Sequence, residues 1–193
     1  MRDLTVIKLG GSHAFAPHLG RWLDAIAQCA GRVAVVPGGG PFADAVLEAQ
    51  PRMGFDDAAA HRMALLAMEQ YGCALASMNK RYVLADSREG IVGAIDRGDV
   101  PVWLPTRMVL AAGEIPWSWE VTSDSLAAWL AGLVGANRLL LVKHDAERAS
   151  ADELAARGVV DPAFPQFANA SGVPFSILGA ADHTMLAGAK EPA

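Results

Sequence analysis

Cysteine, positive charge and long apolar runs are all scarce in this sequence, and each shortage removes a class of protein. Cys29 and Cys73 are the 2 cysteines in 193 residues. Both fall within apolar helical patterns rather than in a paired or metal-ligand spacing, so buried free thiols are expected. Lys and Arg number 16 against 21 Asp and Glu, a net charge of −5. The basic residues are scattered, which argues against nucleic-acid binding, because that affinity comes from clustered cations. Any anionic ligand has to be held locally. No apolar run approaches the roughly 18 residues of a membrane span, and no charged stretch followed by an apolar one opens the sequence. A cytoplasmic protein with no membrane partner is expected.

What is present suits one folded domain over 1–193, at 52% hydrophobic and 19% charged residues,. Residues 4–9, 32–37, 100–104, 137–142 and 173–178 are short runs rich in Val, Ile and Leu, each closed by Gly, Pro or a polar residue. They read as buried parallel strands. Residues 17–30 and 56–78 carry apolar side chains at helical spacing. Strand and helix alternate, which predicts an α/β fold, a three-layer αβα sandwich around a mostly parallel sheet. In such sheets ligands gather at the carboxyl ends of the strands. No repeat or linker divides the chain. Residues 143–165 are the least regular, with a short helix expected at 150–157. Helix 56–78 has apolar residues on more than one face, including Met63, Leu66 and Met68, which favours a homo-oligomer, dimer or higher, over burial within one subunit.

Two strand ends are rich in glycine: Lys8-Leu9-Gly10-Gly11-Ser12 and Pro37-Gly38-Gly39-Gly40-Pro41. Bare backbone at such turns approaches a ligand closely and offers N–H groups to phosphate oxygens, and Pro41 can open a helix. Lys8 interrupts an otherwise apolar strand. Its ammonium either reaches solvent at the strand end or has an anion nearby, since an unpaired buried charge is costly. The triple glycine can also be no more than a tight turn. Neither loop matches the G-x-x-x-x-G-K-[ST] or the G-x-G-x-x-G phosphate signature.

Thr122-Ser123-Asp124-Ser125 precedes the helical run 126–134, where Thr122 and Ser123 suit a helix cap. Asp124 can instead orient lysines, and Lys143, closing strand 137–142, is a second lysine beside Lys8. Phosphoryl transfer depends on positive charge around the migrating group more than on a base.

The strand ending Lys8-Leu9-Gly10-Gly11-Ser12, the later Gly38-Gly39-Gly40 and the Ser123-Asp124-Ser125-Leu126-Ala127 stretch resemble the amino-acid kinase family over roughly residues 4–143. Within the family the likeness is to the kinases of methanofuran biosynthesis, which phosphorylate an aminomethylfuran-methyl phosphate. Val36 to Asp44, Asp57 to His61, Met68 to Gly72, Val102 to Pro105 and Ser118 to Ala127 carry it.

The resemblance implies an ATP-dependent phosphotransferase, with Mg2+ on the nucleotide, acting on a small anionic acceptor. It makes Lys8, Asp124 and Lys143 catalytic, with Asp124 orienting the lysines. Gly10, Gly11, Ser12 and Asp145 fall on the phosphate and nucleotide side. Gly38, Gly39, Gly40, Asp57, His61, Trp103, Trp119 and Ser123 fall on the acceptor side, with no metal ligand in the protein. Trp117 is a further aromatic face for a cationic acceptor, and His13 a further phosphate contact. Core packing for the tryptophans, a plain Asp57–His61 pair and an exposed loop position for His13 are the structural alternatives. An acceptor-side part over about 1–135 and a shortened nucleotide-side part over about 136–193 are expected. Lys143-His144-Asp145-Ala146-Glu147-Arg148 lacks the family's acidic-glycine turn, and the chain stops soon after Leu186-Ala187-Gly188-Ala189-Lys190. The alternative function is a kinase-like binding or accessory protein without a complete nucleotide site.

Overall fold

One or two helices separate each strand from the next in the computed structural model, which describes residues 3–187. The tail at Gly188, Ala189 and Lys190 and both ends of the expected 1–193 domain lie outside the described residues. In chain order the elements are β1 (Thr5–Leu9), α1 (Leu19–Ala27), β2 (Val33–Pro37), α2 (Gly40–Met53), α3 (Asp57–Ser77), β3 (Tyr82–Ala85), α4 (Arg88–Asp96) and β4 (Val100–Trp103). There follow α5 (Thr106–Ala111), α6 (Ser123–Val134), β5 (Arg138–Val142), α7 (Ala151–Ala156), α8 (Phe164–Ser171), β6 (Phe175–Leu178) and α9 (Thr184–Ala187). The strands form one sheet in the order β3-β4-β2-β1-β5-β6, and every neighbouring pair is parallel. The expected αβα sandwich is what the chain forms.

Alternation along the strands decides which helices meet which face. Val6, Ala34, Val36, Leu139 and Leu141 share a core with α4, α6 and α8. Ile7, Leu9, Val35, Val102 and Val142 pack on the other face against α1, the later half of α3 and Leu186 of α9. Helix boundaries follow local chemistry: Asp56 caps α3 by accepting from the Ala59 N–H, and Ser150 and Glu153 form a capping box on α7,. Pro41 opens α2 as expected.

The cysteines depart from expectation. Both are free, but Cys29 is half-buried and Cys73 exposed. Cys73 lies off the stripe of α3 that buries Met68, Tyr71 and Leu75, so the helix turns its thiol outward. On the same helix Met63 and Leu66 are 37% and 42% exposed, so this chain alone does not cover all of its apolar residues.

The two glycine-rich turns are pressed together. A Cβ on Gly11 would stand 2.1 Å from the Gly40 amide nitrogen, and one on Gly38 would stand 2.4 Å from the Gly11 nitrogen. Gly40 also adopts φ +56°, in the left-handed region,. Gly38 N–H donates to the Leu9 carbonyl at 2.9 Å, tying the loops across the β1–β2 seam. Behind them His13 is completely buried. Its Nδ1 lies 2.7 Å from His18 Nε2, and its ring centroid is 5.1 Å from that of His144. Burial first, and then the like charges of His18 and His144, lower its pKa to about 4.

Three outcomes are expected. Gly11→Ala, which drives a methyl group into backbone, lowers stability by at least about 2 kcal/mol in urea titrations. Gly20→Ala, with nothing within 4 Å of its Cβ, raises it by about 0.5 kcal/mol. Because the unfolded His13 binds a proton below its ordinary value of 6.5 and the folded one only below about 4, stability declines as pH falls through that window. His13→Gln flattens the decline between pH 6.5 and 4 in the same titrations.

Candidate active site

Two lysines meet because of strand period and register. Lys8 shares the face of Val6, and Lys143 the face of Leu139 and Leu141, so both point toward α6,. β1 and β5 are adjacent, with Lys8 paired to Leu141. Lys143 therefore lies two residues nearer the strand ends, roughly 6–7 Å further on. Between the ammonium groups stands Asp124, in the first turn of α6. Its Oδ1 is 2.9 Å from Lys8 Nζ, and its Oδ2 accepts a hydrogen bond from Lys143 Nζ at 2.6 Å.

Lys8 and Asp124 are almost wholly buried and Lys143 largely so. Burial alone would raise the Asp124 carboxyl, but the charges of Lys8 and Lys143 outweigh it and hold the pKa below its ordinary value,. Burial and the charge of Lys8 lower Lys143, against the pull of Asp124. Three groups with one excess positive charge thus sit at the carboxyl end of the central strands.

A residue that the sequence reading passed over fixes Asp124 in place. Thr122 is the N-cap of α6, yet its side chain does not close the helix. Asp161 does so instead, accepting from Thr122 N–H at 3.1 Å, Thr122 Oγ1 at 2.8 Å and Ser125 N–H at 3.0 Å, and from the Ser125 hydroxyl. The expected local cap is replaced by a carboxylate 36 residues away from Ser125, brought in by the loop before α8. No pattern near Asp161 announces this, since its partners are distant in sequence.

Beside the cluster opens a cavity of about 290 Å3. Gly11, Ser12, Gly39 and Gly40 line one end, Ser123 leads into α6, and His61 and Trp119 stand among Leu65, Met68 and Leu126. The two glycine turns therefore border a single space. His61 is 5% exposed, its Nε2 has no hydrogen-bond partner, and its ring stacks on Trp117 at 6.3 Å. Burial lowers its pKa, partly offset by a hydrogen bond to the Ser118 backbone. Trp119 is oriented by Nε1–H donation to Gln50 Oε1 at 2.8 Å.

Several expected contacts lie elsewhere. Trp103 is fully buried in the core, its Nε1 3.2 Å from Met108 Sδ, so packing is its role and it does not line the cavity. Asp57 is exposed on the outer side, where it accepts from Gln50 Nε2 at 2.8 Å. It therefore supports Trp119 through Gln50 instead of pairing with His61. Gly38 lies beneath the cavity floor against Gly11, and Gly10 abuts the Val142 carbonyl. Asp145, expected on the phosphate and nucleotide side and not at this cavity, is exposed in the loop after β5. His13 is buried behind the first turn rather than exposed on it. Asp44 lines the cavity without having been singled out; its spacing of four from Gly40 carries the signal once α2 is known to be a helix.

The comparisons with known proteins agree with this geometry. The model of the amino acid kinase family matches residues 3–146. The (5-(aminomethyl)furan-3-yl)methyl phosphate kinase of Methanocaldococcus jannaschii is 24% identical over 139 residues, 70% of this chain and 63% of that protein. The chain thus matches less than two thirds of that relative's length. Uridylate kinase from Archaeoglobus fulgidus superposes with a TM-score of 0.74 at 18% identity, covering 95% of this chain and 94% of its own. UMP kinase from Bacillus anthracis gives 0.71 at 14% identity, covering 96% and 92%. At these identities the two structures speak for the fold. With the family's model matching about three quarters of its length, including both glycine turns, Asp124 and Lys143, this chain belongs to the amino acid kinase family.

Proposed function

We propose that the protein is a small-molecule kinase that transfers the γ-phosphoryl group of Mg–ATP to an anionic oxygen of an acceptor in the 290 Å3 cavity. The observation that carries this is the Lys8–Asp124–Lys143 cluster at the strand ends. The spacing of the lysines lets them flank a migrating phosphoryl group, and the charge they supply is what phosphoryl transfer requires. The glycine turns suit phosphates, because Gly11, Gly39 and Gly40 present bare backbone along the cavity,.

In this reading the acceptor oxygen forms a bond to Pγ while the bond from Pγ to the β,γ-bridging oxygen breaks, and ADP leaves. An ionised phosphate acceptor has no proton to lose, so Asp124 serves as an orienting group and no base is needed. Magnesium travels on the nucleotide phosphates. A groove of about 750 Å3 along β6, lined by Arg148, Phe175, Asp182 and Met185 among others, is the proposed place of the nucleoside. This puts the acceptor side within about 1–135 and the nucleotide side in the remainder. The acceptor is proposed to be an aminomethylfuran-methyl phosphate, on the strength of the name of the Methanocaldococcus jannaschii relative and the aromatic and apolar lining. The exposed Met63 and Leu66 on α3 favour a homo-oligomer.

Lys8→Ala is expected to lower kcat by about 10²–10³-fold while leaving far-UV circular dichroism unchanged. Full activity in that variant would overturn the role given to Lys8. Isothermal titration with Mg–ATP tests the nucleotide side: heat of binding is expected, and its absence would replace the kinase reading with the binding-protein one. Asp124→Asn leaves two buried lysines without their counter-charge, and a loss of about 3–5 kcal/mol in urea titrations is expected.

A further inference from the structure

The ionisable side chains that line the cavity are Asp44 and His61; no Lys or Arg is among them. The cavity is therefore polarised. Its phosphate end adjoins the lysine cluster and the glycine turns, and its other end carries a carboxylate. Gly40, Ala43, Asp44 and Leu47 occupy one face of α2 at spacings of three, four and seven,. One helical turn is about 5.4 Å, so the Asp44 backbone stands roughly 6 Å from the glycine turn.

His61 supplies an independent sign of a ligand in the same cavity. It is more than nine-tenths buried, lines the cavity, and leaves Nε2 without a partner. Nε2 accepts a hydrogen bond from a ligand donor in the tautomer that carries the ring proton on Nδ1. An ammonium in the cavity would meet this unpartnered nitrogen and the Asp44 carboxylate of the same lining. Trp119, held by Gln50, provides an aromatic neighbour for such a cation,.

We infer that Asp44 and His61 Nε2 form an ammonium-recognition subsite. It restricts the acceptor to small zwitterions whose amine lies about one helical turn from the phosphorylated group. The inference rests on the kinase reading for its phosphate end. It disfavours acceptors with a second anionic group in place of the amine, which would set that charge against Asp44. Asp44 is exposed at the rim, so its contribution is screened by salt.

The test compares two acceptors of equal size, an aminomethylfuran-methyl phosphate and its hydroxymethyl counterpart, by calorimetry without nucleotide and by steady-state transfer with Mg–ATP. The native protein is expected to bind the amine at least about fivefold more tightly, and the preference to shrink as salt is raised from 0.05 to 0.5 M. In Asp44→Asn the amine-to-alcohol ratio of kcat/KM falls toward one. His61→Phe keeps an aromatic ring against Trp117, removes the lone pair, and also lowers the ratio. Equal affinity for the two acceptors, or a ratio unaltered in Asp44→Asn, overturns the subsite. Selective binding of the amine with no transfer to either acceptor supports the subsite and overturns the kinase reading.

Discussion

Everything at the site depends on two buried lysines sharing one carboxylate. Lys8 and Lys143 would repel each other if Asp124 were absent, and neither would tolerate burial alone. Asp124 accepts from one and pairs with the other through separate oxygens, so it fixes the spacing of the ammonium groups as well as their charge. That carboxylate must itself be held. Asp161 does this by engaging Thr122 and Ser125 on either side of it, so the position of the lysines is set by a loop far along the chain.

The same logic joins the glycine turns. Each is permissive alone, but their close approach removes the space for any side chain at Gly11 or Gly38. The need for glycine at these positions comes from the other loop. Backbone so confined can meet phosphate oxygens without first losing conformational freedom. The cavity floor and the β1–β2 seam are one construction.

Much of this was legible in the sequence where the signal is local. Five strands were readable because buried parallel strands are short Val- and Ile-rich runs. The convergence of Lys8 and Lys143 follows from period two once β1 and β5 are neighbours. β3 escaped because Val83 and Leu84 on this edge strand are not buried, and its four residues make a weak pattern. The start of α2 was readable at Pro41, but its course was not, because Val46 is its one buried residue and Pro51 lies inside it, leaving almost no apolar stripe to detect. Without that course Asp44 stayed hidden. Trp103 and Asp57 were drawn toward the ligand by residue type, whereas the β4 pleat and the outer face of α3 put them elsewhere. Asp161 was unreadable, since its four side-chain hydrogen bonds all run to residues at least 36 positions away.

The polarity of the cavity bears on why this arrangement can work without a base. A carboxylate placed near the reacting oxygen and free to take a proton would repel an incoming phosphate. Asp124 avoids this because both its oxygens face lysines, which hold its pKa below the ordinary value. Asp44, the other carboxylate of the site, is set one helical turn away along α2. In the proposed reaction, negative charge is thus neutralised where phosphate would arrive or set a helical turn away from it. An acceptor whose own charges run in the opposite sense would be aligned by this field before transfer, and alignment of the reacting oxygen is a large part of what a phosphoryl-transfer site has to supply.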